Sequence, residues 1–169
     1  MDRQPVLVMG ICGTGKSTLA AAIAARLQGS FIEGDDYHSP ENIAHMAAGQ
    51  PLTDDMRLGW LDRLGEAMRE APAPAVLSCS ALRHSYRQRL ARMAGPMRII
   101  FLHGPRPLIE ARMAARAGHF MPATLVDSQL DTLEPPDPIN EGAIWIDICN
   151  SPDIMLHHAM TALAGKALS

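Results

Sequence analysis

No apolar run in this sequence is long enough to cross a membrane, and basic residues and cysteines are also few. A membrane-spanning helix needs about 18 or more consecutive apolar residues, so we expect no membrane segment. Nucleic-acid binders usually carry a basic face, whereas here 18 acidic residues outnumber 15 lysines and arginines, so we expect no nucleic-acid partner. The three widely spaced cysteines fit a reducing compartment and predict a cytoplasmic protein.

The length and composition are those of one globular domain, predicted over residues 1–169. Hydrophobic residues make up 47% and charged residues 20% of the chain, which excludes a disordered protein. Short apolar runs alternate with helical stretches. The predicted strands are 5–9, 30–32, 75–79, 98–102 and 143–148. The predicted helices are 17–27 (ended by Gly29), 54–70, 82–93, 107–116 and one that begins at Pro152. This alternation predicts an α/β fold with a mostly parallel sheet, helices on both faces and ligands at the carboxyl ends of the strands.

The clearest motif, G-x-x-x-x-G-K-S, runs from Gly10 to Ser17 between the first predicted strand and helix. Such a loop holds the phosphates of a nucleotide on backbone N–H groups, with Lys16 at the β- and γ-phosphates and the Ser17 hydroxyl on Mg²⁺. Lys16 is one of only two lysines beside 13 arginines. The alternative is a glycine-rich turn without a ligand. We predict an ATP site formed by Gly10, Gly13, Thr14, Gly15, Lys16, Ser17 and Thr18.

Acidic residues follow the second predicted strand in the run Glu33-Gly34-Asp35-Asp36. A phosphoryl acceptor needs a group that orients its hydroxyl and receives the proton, and a carboxylate does this in kinases. We predict Asp35 as this base, with Glu33 or Asp36 supporting the metal through water. The alternative is a solvated acidic turn, for which this composition is common.

Three blocks of sequence, in order and with matching spacing, resemble the gluconokinase family over about residues 6–136. The first block is Gly34-Asp35, His38, Asn42, Met46, Gly49, Pro51-Leu52, Asp54, Arg57 and Trp60-Leu61. The second is Cys79-Ser80-Ala81-Leu82-Arg83, Tyr86-Arg87 and Leu90. The third is His119-Phe120-Met121-Pro122, Leu125, Ser128-Gln129, Leu133-Glu134 and Pro136.

The resemblance implies ATP-dependent phosphorylation of D-gluconate to 6-phospho-D-gluconate. It also implies a three-layer P-loop kinase fold with a five-stranded parallel sheet, a small lid at about 112–136 and an acceptor-binding segment at about 34–70, often in a homodimer. The sequence departs from the family pattern in that segment. The proline that usually follows the histidine comes one place later, at Pro40, and Met56 and Gly59 replace an acidic residue and a proline.

Gluconate carries one carboxylate and several hydroxyl groups, so its site needs a cation and hydrogen-bonding partners. Arginine suits the carboxylate because its planar fork binds it in a bidentate manner. Arg57, Arg83 and Arg87 are the candidates, and four-residue spacing would let Arg83 and Arg87 face one cleft. The alternative for the helix is a solvated basic face. His38 is the predicted hydroxyl partner, and the resemblance adds His119 to the predicted substrate-binding residues.

Arg112 and Arg116 are four residues apart on the helix predicted to enter the lid. Charge that develops on the transferring phosphoryl group favours an arginine supplied by a closing lid, so we predict Arg112 at the nucleotide and Arg116 as a catalytic residue. The alternative is that they offset the dipole at a helix C-terminus.

Other functions of a P-loop protein remain open from the residues alone. The acceptor could be shikimate or another sugar acid. A nucleotide-binding switch, or a binding module without turnover, would use the same loop. The sequence contains no Asn-Lys-x-Asp motif of the kind that reads guanine, which disfavours the switch.

Overall fold

Five strands form one parallel sheet in the computed structural model, which describes residues 3–116 and 123–165. The strands are β1 (Val6–Met9), β2 (Ser30–Glu33), β3 (Ala75–Ser78), β4 (Arg98–His103) and β5 (Ile144–Asp147). Their order across the sheet is β2-β3-β1-β4-β5, and every neighbouring pair is parallel. The predicted parallel sheet is therefore confirmed, with strand ends within one residue of those expected.

Helices cover both faces of this sheet, as predicted for a three-layer fold. They are α1 (Lys16–Leu27), α2 (Pro40–Ala47), α3 (Asp54–Glu70), α4 (His84–Ala94), α5 (Arg106–Ala114), α6 (Ala123–Thr132) and α7 (Pro152–Gly165). A short 3-10 helix, Gly34–Tyr37, follows β2. The sequence did not predict this 3-10 helix, α2 or α6. No helix in the described ranges combines the length and apolar character that crossing a bilayer requires.

Two predicted helix ends are wrong, and the residue expected to end α1 is not the one that does so. Helix α4 begins at His84, not at 82, because Ala81 has a left-handed φ of 44° that no α-helix accommodates. Helix α5 ends at Ala114, so Arg116 lies beyond it rather than on it. At the end of α1, Gln28 and not Gly29 takes the left-handed conformation; Gly29 instead passes so close to the Pro74 carbonyl that no side chain fits.

The core lies in two layers, because successive residues of a strand point to opposite faces. Val6 and Val8 of β1 pack on the side of α1 and α7, whereas Leu7 and Met9 pack with α3 and α4. Burial of a leucine such as Leu61, which is fully inaccessible, stabilises the fold by about 2 kcal/mol. The sheet thus forms a rigid platform whose carboxyl edge carries the loops after β1, β2 and β3.

Candidate active site

The loop between β1 and α1 has the backbone conformation of a phosphate-binding loop. Gly13 and Gly15 have φ values of 77° and 88°, where a side chain would strain the chain. A Cβ on Gly13 would also lie 2.8 Å from Met113 Cγ. Thr14 Oγ1 donates to the Ile11 carbonyl at 2.8 Å and closes the loop from within. No described side chain caps α1, so the N–H groups of its first turn remain available to an anion.

Lys16 lies over this loop, and its Nζ donates to the Ile11 carbonyl at 3.0 Å. Burial lowers the pKa of Lys16, while the nearby carboxylates of Asp35 and Glu33 act in the opposite direction. The loop ammonium and the acidic residues after β2 are therefore brought together at one edge of the sheet.

Ser17 stands at the first turn of α1, where its Oγ lies 3.3 Å from Ser78 Oγ. Ser78 is the buried last residue of β3, and sequence reasoning assigned it no role. Ser17 and the following Thr18 are exposed to solvent. Lys16, the residue before Ser17, is within electrostatic reach of the Asp35 and Glu33 carboxylates, and hydroxyl and carboxylate oxygens are donors that Mg²⁺ uses together with phosphate oxygens and water. The residues present therefore fit a magnesium ion.

Asp35 is held at the edge of the sheet by the residue before it. Gly34 lies so close to the Ser78 carbonyl that a side chain there would collide with it. The Gly34 carbonyl accepts a hydrogen bond from Trp60 Nε1 at 2.8 Å, which fixes α3 against this point. The Asp35 side chain itself is 88% exposed, so its carboxylate is free to meet a ligand.

His38 follows Asp35 and is almost entirely covered, with 6% of its side chain exposed. Its ring stacks on Trp60 with 4.3 Å between centroids, and its Nδ1 lies 3.4 Å from Asn42 Nδ2. An amide nitrogen only donates, so Nδ1 accepts and Nε2, which is 3.9 Å from Asp35 Oδ1, carries the hydrogen. Burial lowers the pKa of His38, Asp35 opposes this shift, and the ring is neutral at pH 7.

The displaced proline of this segment has a structural explanation. Ser39 is the N-cap of α2, its Oγ accepts from the Asn42 N–H at 3.1 Å, and Pro40 occupies the first helical position. Asn42 is buried and its Nδ2 lies 3.4 Å from the Met56 carbonyl, which connects α2 to α3. Gly59 has no neighbour close enough to require a glycine.

Arg57 and Arg83 approach the same aromatic ring, that of Tyr86. Their guanidinium carbons lie 5.2 and 5.9 Å from its centroid. Arg57 Nη1 also donates to Tyr86 Oη at 2.8 Å, and this hydroxyl in turn donates to Asp54 Oδ1 at 2.9 Å. The two arginines form a cationic pair around this ring, and the exposed carboxylate of Asp54 lies 3.8 Å from Nη1 of Arg57. Sequence reasoning gave Tyr86 and Asp54 no role.

Arg83 and Arg87 do not share a cleft in this structure. Arg87 is 2% exposed and forms a bidentate ion pair with Glu141, at 2.7 and 3.0 Å. It also donates to the carbonyls of Ala81 and Glu134, so four of its hydrogen bonds are made inside the protein. The prediction that both arginines face one cleft is wrong because the guanidinium of Arg87 is hydrogen-bonded to Glu141, 54 residues further along the chain.

Two lid arginines lie in the described part of the chain, and His119 lies outside it. Arg112 Nη2 donates to the Ile148 carbonyl at 2.7 Å, which links α5 to the loop after β5. Arg116 is exposed and lies close enough to the P-loop to lower the pKa of the Cys12 thiol, although burial raises this pKa overall.

Helix α6 approaches the same loop, because Gln129 Oε1 accepts from the Cys12 N–H at 2.7 Å. No sequence signal beyond its place in the third block pointed to Gln129.

Known proteins resemble this chain over most of its length. The AAA domain family matches residues 6–136. A gluconokinase of Gluconobacter oxydans is 42% identical over 154 residues, covering 89% of this chain and 86% of that protein. The thermosensitive gluconokinase of Escherichia coli is 38% identical over 151 residues, covering 88% and 81%.

A solved structure resembles this protein in both sequence and backbone. The crystal structure of a gluconokinase from Sinorhizobium meliloti superposes with a TM-score of 0.88 at 42% identity, covering 98% of this chain and 94% of that one. Similarity of this extent in both sequence and backbone confirms the resemblance that the three blocks predicted. The chain belongs to the gluconokinase family of P-loop kinases.

Proposed function

We propose that this protein transfers the γ-phosphoryl group of ATP to D-gluconate and releases 6-phospho-D-gluconate and ADP. One observation carries the proposal: a series of neighbouring groups leads from the P-loop ammonium to a pair of arginines. Lys16 lies near Asp35, which neighbours His38, and His38 is within the electrostatic reach of Arg57. A phosphate site and an anion site are thus joined through a carboxylate.

On the nucleotide side, the residues from Gly10 to Thr18 bind the phosphates. The N–H groups of the loop and of the first turn of α1 donate to phosphate oxygens, and Lys16 exchanges its contact with the Ile11 carbonyl for the β- and γ-phosphates. Ser17 holds Mg²⁺, with Glu33 or Asp36 acting through water. When bound, the ion neutralises charge on the phosphate oxygens.

On the acceptor side, gluconate is bound by four side chains within 34–70 and at the start of α4, namely Asp35, His38, Arg57 and Arg83. Arg57 and Arg83 hold its carboxylate through charge-assisted hydrogen bonds. This carboxylate is the second anion beside the arginine pair, the first being that of Asp54. The neutral His38 donates from Nε2 to a substrate hydroxyl. Asp35 receives the proton of the hydroxyl that attacks the γ-phosphorus, and its exposure in the free protein leaves room for that hydroxyl.

The lid segment, at about 112–136, completes the site. Arg116 stabilises the charge that spreads over the transferring phosphoryl oxygens, and Arg112 contributes to nucleotide binding from α5. Closure of the segment over the site excludes water, which otherwise competes with gluconate for the phosphoryl group. The cytoplasmic location, expected from the cysteine content, and the homodimer, expected from the resemblance, stay predictions.

A panel of acceptors tests the proposal. ADP release is measured with ATP and Mg²⁺ in the presence of gluconate, other aldonic acids, shikimate or a neutral polyol of the same length. The proposal predicts the highest kcat/KM for gluconate and a large loss for the neutral polyol, because the arginine pair then has no carboxylate to bind. Turnover with shikimate alone would overturn the acceptor assignment.

A further inference from the structure

A buried ion pair between Arg87 and Glu141 contacts the turn that carries Arg83, and it includes none of the groups that we assign to the substrates. Glu141 accepts from both Nε and Nη2 of Arg87, and the side chains are 11% and 2% exposed. Burial alone would raise the pKa of Glu141, but hydrogen bonds from Arg87 and from the Asp137 N–H hold it below its ordinary value. The carboxylate is therefore ionised at neutral pH and neutralises the guanidinium.

Arg87 uses its remaining donors to hold the turn between β3 and α4. Its Nη1 donates to the Ala81 carbonyl at 2.9 Å. Ala81 has a left-handed φ of 44°, a conformation that persists in a non-glycine residue only where surrounding contacts impose it. Arg83 comes two residues later and is the N-cap of α4. The conformation of Ala81 thus sets where the Arg83 side chain departs from the backbone.

The same ion pair fastens the segment 134–141, which follows α6, onto this turn. Arg87 Nη2 donates to the Glu134 carbonyl at 3.1 Å, and the Glu134 N–H donates to the Leu82 carbonyl at 2.8 Å. The Glu134 carboxylate accepts from the His84 N–H at 2.9 Å. Both sides of the turn are therefore tied to the segment that contains Glu141.

We propose that Glu141 is a positioning residue for acceptor binding: it orients Arg87, which holds the Ala81 turn and so directs Arg83 toward the substrate carboxylate. This inference rests on the proposed assignment of Arg57 and Arg83 to gluconate. Neither Glu141 nor Arg87 touches the substrate. Loss of the carboxylate leaves a buried guanidinium without its counter-charge, and the turn relaxes.

The two roles for Arg87 predict opposite results for Glu141→Gln. If Arg87 bound gluconate directly, removal of its competing carboxylate would lower the gluconate KM or leave it unchanged. If Arg87 positions the turn, Glu141→Gln raises the gluconate KM by about tenfold, because the misplaced Arg83 loses a charge-assisted hydrogen bond to the substrate carboxylate. The ATP KM stays within about twofold, since none of the hydrogen bonds made by Arg87 and Glu141 reaches a P-loop residue directly.

The experiment measures KM for gluconate and for ATP in the wild type, Glu141→Gln, Glu141→Asp and the control Asp62→Asn. Asp62 of α3 forms a bidentate pair with Arg89, which is on α4 like Arg87, but that pair is partly exposed, so its loss changes neither KM. Glu141→Asp keeps the charge and is expected to recover part of the gluconate affinity. It also keeps the test valid if the glutamine variant does not fold.

The outcomes separate this inference from the proposed function. A wild type without gluconate-dependent ADP release would overturn the function itself. An active wild type whose Glu141 variants keep the gluconate KM, or lower it, would overturn the positioning role. Equal increases in both KM values would also overturn it, because they would show general damage to the fold.

Discussion

Trp60 Nε1 donates to the Gly34 carbonyl at 2.8 Å, and this hydrogen bond fixes α3 to the residue directly before Asp35. The same indole stacks on His38. One side chain of the core therefore positions two groups that we assign to the acceptor hydroxyls, which explains why the proposed base can be exposed and still be well placed.

Trp60→Phe is expected to lower kcat by about tenfold, because small displacements of a catalytic group reduce the rate strongly. The variant keeps an aromatic ring against His38 but leaves the Gly34 carbonyl without its donor. The free energy of unfolding should fall by about 1–3 kcal/mol, the usual effect of an unsatisfied buried polar group. Steady-state kinetics and urea unfolding measure the two effects. A variant that lost stability but kept its kcat would contradict the positioning of Asp35 through Gly34.

Asp35→Asn should lower kcat by about 10²–10⁴-fold, since the amide cannot accept the proton of the attacking hydroxyl. Its effect on ATP affinity should be modest, because the contacts of the P-loop with phosphate remain. Nucleotide titration and turnover assays give the two quantities separately. Glu66→Gln, an exposed acidic position on α3, is the matched control and should behave like the wild type. An Asp35→Asn protein with wild-type kcat would remove this residue from the mechanism.

Arg57→Gln and Arg83→Gln should each raise the gluconate KM by about tenfold or more, the amount that corresponds to a charge-assisted hydrogen bond. Arg69→Gln, on an exposed face at the end of α3, is the control for the loss of one positive charge. Tyr86→Phe should have a smaller effect in the same direction, because it removes only the hydroxyl that accepts from Arg57. If neither arginine variant changed the gluconate KM, the carboxylate would have to bind elsewhere.

The lowered pKa of His38 predicts a dependence of stability on pH. The unfolded chain takes up the proton near the ordinary value of 6.5, whereas the folded protein does so only at lower pH. The unfolded state therefore binds more protons, and the free energy of unfolding falls as the pH is lowered through about 6.5 toward the folded-state pKa. His38→Gln should reduce this dependence when unfolding is compared at pH 7.5 and 5.5. Equal pH dependence in both proteins would contradict a buried neutral imidazole.

Much of the fold could be predicted because local patterns determined it. The central strands β1, β3 and β4 are short apolar runs that are buried on both faces, and Pro152 marks the start of α7 as expected. The 3-10 helix Gly34–Tyr37 was missed because Gly-Asp-Asp is also turn chemistry. The start of α4 was misplaced because a left-handed alanine leaves no mark in the sequence.

The same distinction applies to the site: groups that are consecutive in the sequence could be predicted, and contacts between residues far apart in the sequence could not. The P-loop could be predicted because its residues are consecutive and lie between a strand and a helix. The environment of Arg87 could not, because helical spacing places Arg83 and Arg87 together while Glu141 determines which guanidinium is available. Ser78 and Gln129 likewise reach the P-loop only through the tertiary structure.

The most direct test of the account is the stoichiometry of products from the wild-type protein with ATP and Mg²⁺, with and without D-gluconate. ADP and phosphogluconate are quantified together by phosphorus NMR. The account predicts one phosphogluconate for each ADP when gluconate is present and almost no ADP without it. Equal ADP formation in both samples, or no phosphogluconate at all, would contradict it.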